Sequence, residues 1–80
     1  MKTEYKYIRF DYDESIEDDC KWWCYNKKSG GLLGGVTYYR SWKQYVIEFE
    51  IGCVFNNSCL TDISHFLDQL NSRRAEKNRK

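Results

Sequence analysis

The chain has no proline, one histidine and one methionine in 80 residues, and its formal net charge is only +1. Its uninterrupted apolar runs are a few residues long, which excludes a membrane-spanning helix of about 20 residues. The missing charge excess argues against a general nucleic-acid or membrane-surface binder, since both normally carry a strong basic surplus. There is no internal repeat and no low-complexity stretch. No catalytic or cofactor-binding motif appears, so the expectation is a noncatalytic protein without a cofactor. Met1 to Tyr5 lacks the apolar core of a secretory signal, which points to a soluble protein kept in the cytoplasm. In that compartment thiols stay reduced, so Cys20, Cys24, Cys53 and Cys59 are expected to be free.

What the chain has in plenty is aromatic residues, 18% of the total. A length of 80 residues fits one small domain spanning 1–80, and so short a chain must draw much of its core from those rings. Charge is segregated. Residues 11–19 carry six acids and no base and read as a solvated acidic loop, while 73–80 carry five bases and one acid. The last residues, 75–80, read as a basic, disordered tail.

Apolar residues alternate with period two through most of the first fifty positions. Tyr5 to Phe10 gives a first strand, Lys21 to Asn26 a second, Leu32 to Tyr39 a third and Trp42 to Ile51 a fourth. Lys27-Lys28-Ser29-Gly30-Gly31 forms one turn, and Arg40-Ser41 is read as another, although it is not the Asn-Gly type that two-residue hairpins prefer. Pairing outward from Arg40-Ser41 sets Tyr39 opposite Trp42 and gathers Leu32, Gly34, Val36, Tyr38, Tyr45, Ile47 and Phe49 on a core face. The other face collects Leu33, Gly35, Thr37, Tyr39, Trp42, Gln44, Val46 and Glu48. Carried back through the first turn, the same register places Trp23 beside Gly34 in the core and Trp22 beside Gly35 on the open face, with Tyr25 assigned to the core.

Beyond Gly52 the period becomes helical. Ser58 is a candidate cap, and Leu60, Ile63, Phe66, Leu67 and Leu70 form one apolar stripe on a helix from about 59 to 74, with Asp62 in its first turn. The fold class expected is therefore α+β: a four-stranded antiparallel meander with one C-terminal helix packed on one face, ββββα.

One helix covers one face of such a sheet. The uncovered face, with the acidic loop, supplies the candidate partner-binding residues Tyr7, Arg9, Trp22, Tyr39, Arg40, Trp42 and Gln44, and Asp13, Glu14, Glu17 and Asp18. Rings on that face either shield the sheet and stabilise cross-strand pairs, by about 0.2 to 1 kcal/mol each, or form a binding surface, Trp and Tyr being enriched in interface hot spots. Three occupants are compatible with it: another protein, single-stranded nucleic acid stacked on the rings, or a second copy of the chain. Nucleic acid is disfavoured by the scarcity of nearby positive charge.

Metal and thiol chemistry find little support. Cys20-x3-Cys24 and Cys53-x5-Cys59 do not match the C-x2-C spacing of structural zinc sites, and in an extended strand Cys20 and Cys24 lie about 13 Å apart. Asp11, Asp13 and Ser15 begin like a calcium loop, but Ile16 and Trp22 stand where Gly and Glu are required. Cys59 falls in the first helical turn, where the dipole favours a thiolate. His65, however, lies about 240° around the helix from it, so the base a cysteine nucleophile needs is not on the same face.

The run Asn26-Lys27-Lys28-Ser29-Gly30-Gly31-Leu32-Leu33-Gly34, followed by Val36-Thr37-Tyr38-Tyr39 with Trp42 and Tyr45, then Val54-Phe55-Asn56, Cys59-Leu60, Asp62-Ile63 and Phe66-Leu67, resembles a group of small uncharacterised proteins encoded by phages, prophages and their hosts. The chain departs from that group at Ile51, where its members commonly have proline, and at Cys20 and Cys24. The resemblance implies no enzymatic activity. It implies, by analogy with anti-CRISPR proteins, an accessory inhibitor that binds and blocks a host or defence protein.

Overall fold

The computed structural model describes residues 1–15 and 21–77. Four strands, β1 (Ile8–Tyr12), β2 (Trp22–Asn26), β3 (Leu32–Tyr39) and β4 (Gln44–Phe49), pair antiparallel in the order β1-β2-β3-β4, and one helix, α1 (Asn57–Lys77), follows. The fold is the α+β meander with a C-terminal helix that the periodicity implies.

Alternation decides which side of the sheet the helix covers. Ile8 and Phe10 of β1, Cys24 of β2, Val36 of β3 and Tyr45 of β4 are buried against Cys59, Ile63, Phe66 and Leu70 of α1. The Phe66 ring sits at the centre, parallel to Phe10 with centroids 3.9 Å apart and edge-on to Trp22 at 5.2 Å. The helix is fastened at its ends by polar contacts. Asn56 Oδ1 accepts the Cys59 amide (2.8 Å), which makes Asn56 rather than Ser58 the cap and leaves Asp62 beyond the first turn. Farther along, Asn71 Oδ1 accepts the Tyr45 amide (2.7 Å), and the Arg74 guanidinium lies 3.7 Å from the centre of the Tyr38 ring.

The sheet departs from expectation in two registers. The β3–β4 connection is a four-residue loop, so Tyr39 pairs with Gln44 and not with Trp42. Lys43 takes a positive φ of 54° there, a conformation the two-residue turn could not supply. The slip is two residues, so Val36, Tyr38, Tyr45 and Ile47 stay on the core face and Thr37, Tyr39, Gln44 and Val46 on the open one. Between β2 and β3 the slip is one. Tyr25 pairs with Leu32, as counting through the turn predicts, but Cys24 then pairs with Gly34, and Leu33 is left as the extra residue of a bulge.

Beyond that bulge the faces invert. Trp22, expected on the open face, pairs with Val36 and packs on the core, whereas Trp23 and Tyr25, expected in the core, face solvent. Leu33 packs against the core instead of facing outward. Phe49, also expected inside, stands half-exposed against Phe55, at 4.5 Å between centroids.

The first strand begins later and ends later than expected. Tyr5 precedes it in a tight bend whose amide donates to Ile8 O (2.9 Å), and the hydroxyl of its buried ring shares a hydrogen bond with His65 Nδ1 (2.7 Å). Asp11 and Tyr12 belong to β1, so the acidic segment starts inside the sheet; its residues 16–19, Glu17 and Asp18 among them, and the following Cys20 lie outside the described residues, as do 78–80 of the basic tail. Phe66→Ala should cost about 3 to 5 kcal/mol in a urea titration, a large share of a small domain's stability, whereas Leu60→Ala on the exposed side of α1 should cost less than about 1 kcal/mol. Equal losses at the two positions would refute the assignment of Phe66 as the central plug.

Candidate functional site

The face of the sheet that α1 does not cover is built from alternate residues: Arg9 and Asp11 of β1, Trp23 and Tyr25 of β2, Gly35, Thr37 and Tyr39 of β3, and Gln44, Val46 and Glu48 of β4. It divides into two parts.

Over β1 and β2 each ring is matched to a charge. Arg9 lies 4.9 Å from the Tyr25 ring centre and pairs with Asp11 at 3.3 Å. Lys21 Nζ lies 4.7 Å from the Trp23 ring, and Trp23 Nε1 donates to Asp13 Oδ2 at 2.8 Å. The indole packs against Gly35, where a Cβ would meet it at 3.0 Å, so the glycine is what permits this close packing. Asp13 also accepts the Ser15 amide and hydroxyl. The Ser15 hydroxyl, then the Trp23 indole and the Ser15 amide, hold the Asp13 carboxyl below its ordinary value, with Lys21 adding in the same direction.

At the β3–β4 end of this face, among the described residues, no cation lies over the Tyr39 or Trp42 ring. Trp42 is 65% exposed and meets Tyr39 edge-to-face, with centroids 4.9 Å apart. The loop between them is closed by Trp42 N–H to Tyr39 O and Lys43 N–H to Arg40 O, both 3.2 Å.

Of the candidate residues, Tyr39, Arg40, Trp42 and Gln44 therefore gather at one corner, and Arg9 stands on the same face at the opposite edge. Trp22 belongs to the core. Tyr7 precedes β1 and lines a groove with Lys6, Asn26, Lys27 and Lys28. Asp13 is occupied within the sheet's own contacts, and Glu14 is exposed beside it. Counting missed Trp23, Tyr25 and Lys21 on the open face because of the one-residue bulge. It also missed a second apolar exposure around the β4–α1 connection, where Ile51 and Val54 are almost fully exposed and Phe49 and Leu60 half so.

The thiols are placed as follows. Cys24 and Cys59 are buried and Cys53 is half-buried, all three as free thiols. Burial first, then the neighbouring Cys59 and Cys53, push the Cys24 thiol up to about 12. Among the described residues no group of three or more His, Cys, Asp and Glu is arranged to hold a metal ion, and no helix is long and apolar enough to cross a membrane. No protein-family model, characterised protein or solved structure matches the chain.

The Asp13 contacts set a pH dependence. A carboxyl held low in the folded state binds its proton more readily when unfolded, so its stabilisation is complete above the ordinary carboxylate range and is lost as pH falls toward the lowered folded value. Denaturant midpoints measured from about pH 2 to 7 should rise more steeply for the wild type than for Asp13→Asn, with the gap levelling off near neutrality. Parallel curves would show that the Asp13 contacts do not contribute.

Proposed function

We propose that the chain is a noncatalytic protein-binding module whose contact surface is the Tyr39–Trp42 corner of the open sheet face. In the phage or prophage setting that its resemblance implies, it would occlude a surface of a host or defence protein in the manner of an anti-CRISPR inhibitor.

One observation carries the reading: Trp42 stands 65% exposed on a loop closed by its own backbone bonds, in contact with Tyr39 and next to Arg40. Trp, Tyr and Arg are the three residue types most enriched at binding hot spots. A loop already held in shape loses little conformational freedom when a partner docks, so more of the contact energy appears as affinity. The neighbouring rings Trp23 and Tyr25, by contrast, already have cations and carboxylates about them.

Those same cation-ring pairs favour a second reading, in which Arg9 and Lys21 help the open face hold single-stranded nucleic acid. Salt-dependent retention of an oligonucleotide separates the two, since phosphate contacts weaken steeply with added salt. A dimer formed through the open face would appear as a doubled mass by light scattering.

The direct test compares capture of host proteins by the tagged wild type and by Trp42→Ala and Tyr39→Ala, with circular dichroism to verify folding. A partner bound through this corner should lose about 30-fold in affinity with Trp42→Ala, the equivalent of a 2 kcal/mol hot spot. Undiminished capture by folded variants would remove the corner from the function.

A further inference from the structure

Lys6, Tyr7, Asn26, Lys27 and Lys28 line a half-open groove of about 390 Å³ where β1 begins and β2 ends. Three lysines and no acidic residue line it. Among the described residues the one ion pair is Arg9 with Asp11, so no carboxylate there balances these lysines, although Lys27 Nζ donates to Tyr5 O and Lys6 Nζ lies beside the Tyr7 ring.

The frame of the groove is fixed. The Lys27 amide donates to Tyr7 O at 3.0 Å and its Nζ to Tyr5 O at 3.1 Å, tying the two sides together. Asn26 Oδ1 accepts the amides of Lys28 and Ser29 at 2.9 and 3.1 Å, and Gly30, at φ 76°, donates to Asn26 O at 2.8 Å. The amides of this turn are thus consumed inside it. An anion in the groove would be held by lysine point charges rather than by a nest of backbone N–H groups.

Like charges crowded on one side of a small concavity repel one another, and an anion placed among them relieves that repulsion. A doubly charged phosphate gains more from three cations than a single carboxylate does. The volume lies near the low end of the range for small-molecule sites, about 300 to 1,000 Å³, and exceeds what a bare ion needs. Tyr7 is half-exposed at the groove, with Lys6 Nζ 5.2 Å from its ring centre, and offers a flat surface beside the charges.

We propose that this groove binds the phosphate of a nucleotide, with the attached base lying against Tyr7. A free nucleoside monophosphate and the 5′ end of a nucleic-acid strand present the same phosphate, and the recognition chemistry is the same for both.

The test is an amide-shift titration of the full chain at low ionic strength with adenosine monophosphate, adenosine, and an oligonucleotide with and without a 5′-phosphate. Adenosine monophosphate should produce saturable shifts at Lys6, Tyr7 and residues 26–28, and adenosine should not. The Lys6→Ala/Lys28→Ala double variant should weaken binding at least about tenfold, while Trp42→Ala should bind normally, which separates this site from the Tyr39–Trp42 corner. Tighter binding of the 5′-phosphorylated strand than of its 5′-hydroxyl counterpart and of the free nucleotide would support the site and assign its ligand to a strand end. Tighter binding of the free nucleotide would support it and assign a mononucleotide. No shift at about 10 mM nucleotide, equal binding of adenosine, or unimpaired binding by the double variant would overturn the proposal.

Discussion

The burial of Phe66 between Phe10 and Trp22 is the contact on which the other layers of the structure depend. An 80-residue chain has room for one core, and here that core is the space between a single helix and one side of the sheet. A ring at its centre touches both β1 and β2, so the helix cannot slide without opening a cavity under two strands. Polar contacts then fix its direction: the Asn56 cap at one end, and the Asn71 bond to the Tyr45 amide farther along. The Tyr45 bond also meets a backbone donor on the outer strand of the sheet, a place where open N–H groups invite unwanted pairing. Because one helix occupies one side, the other side is left to solvent, and the chemistry available to the protein is whatever the register puts there.

Register was only partly legible from residue order, and the reason is parity. The β3–β4 loop is two residues longer than expected, yet Val36, Tyr38, Tyr45 and Ile47 remain on the core side because an even slip preserves alternation. The bulge at Leu33 is a one-residue event and exchanges the neighbours Trp22 and Trp23. Two adjacent tryptophans give the hydrophobic pattern no means of choosing between them. The choice is made in three dimensions, by Val36 beneath one and the absence of a side chain at Gly35 beneath the other. The helix was easier because Ile63, Phe66, Leu67 and Leu70 at helical spacing fix a stripe regardless of where the cap lies, although Leu60, expected on it, is exposed and Cys59 is buried in its stead. Its start was missed because Asn56 and Ser58 are both good caps by residue type, and the geometry selects the earlier one.

The candidate site was legible to the same extent. Tyr39, Arg40, Trp42 and Gln44 follow from the β3–β4 hairpin, where the parity survived. Arg9 follows from strict alternation in β1. Lys21, Trp23 and Tyr25 do not, since they depend on the bulge. The Asp13 contact with Trp23 Nε1 joins residues ten positions apart across the end of the β1–β2 hairpin, which no short-range pattern announces. Composition alone marked Asp13 as one of a run of acids in a solvated loop; its partner makes it a structural carboxylate.

That distinction between committed and uncommitted groups orders the surface. A ring on an open sheet face can be stabilised where it stands by a cation above it and an acceptor for its N–H, as Lys21 and Asp13 do for Trp23. Such a ring gains less from a partner, because docking would first have to displace or accommodate the charges already there. Trp42 has an aromatic neighbour and, among the described residues, no cation over its ring, and its apolar surface faces water to a greater extent. Covering it therefore releases more unfavourable hydration for each contact made. The same reasoning, applied to charge in place of apolar surface, separates Arg9, which is paired with Asp11, from the lysines of the Lys6–Lys28 groove, which have no carboxylate partner among the described residues. On both surfaces the groups with most to gain from a ligand are those whose charge or apolar area the described contacts offset least.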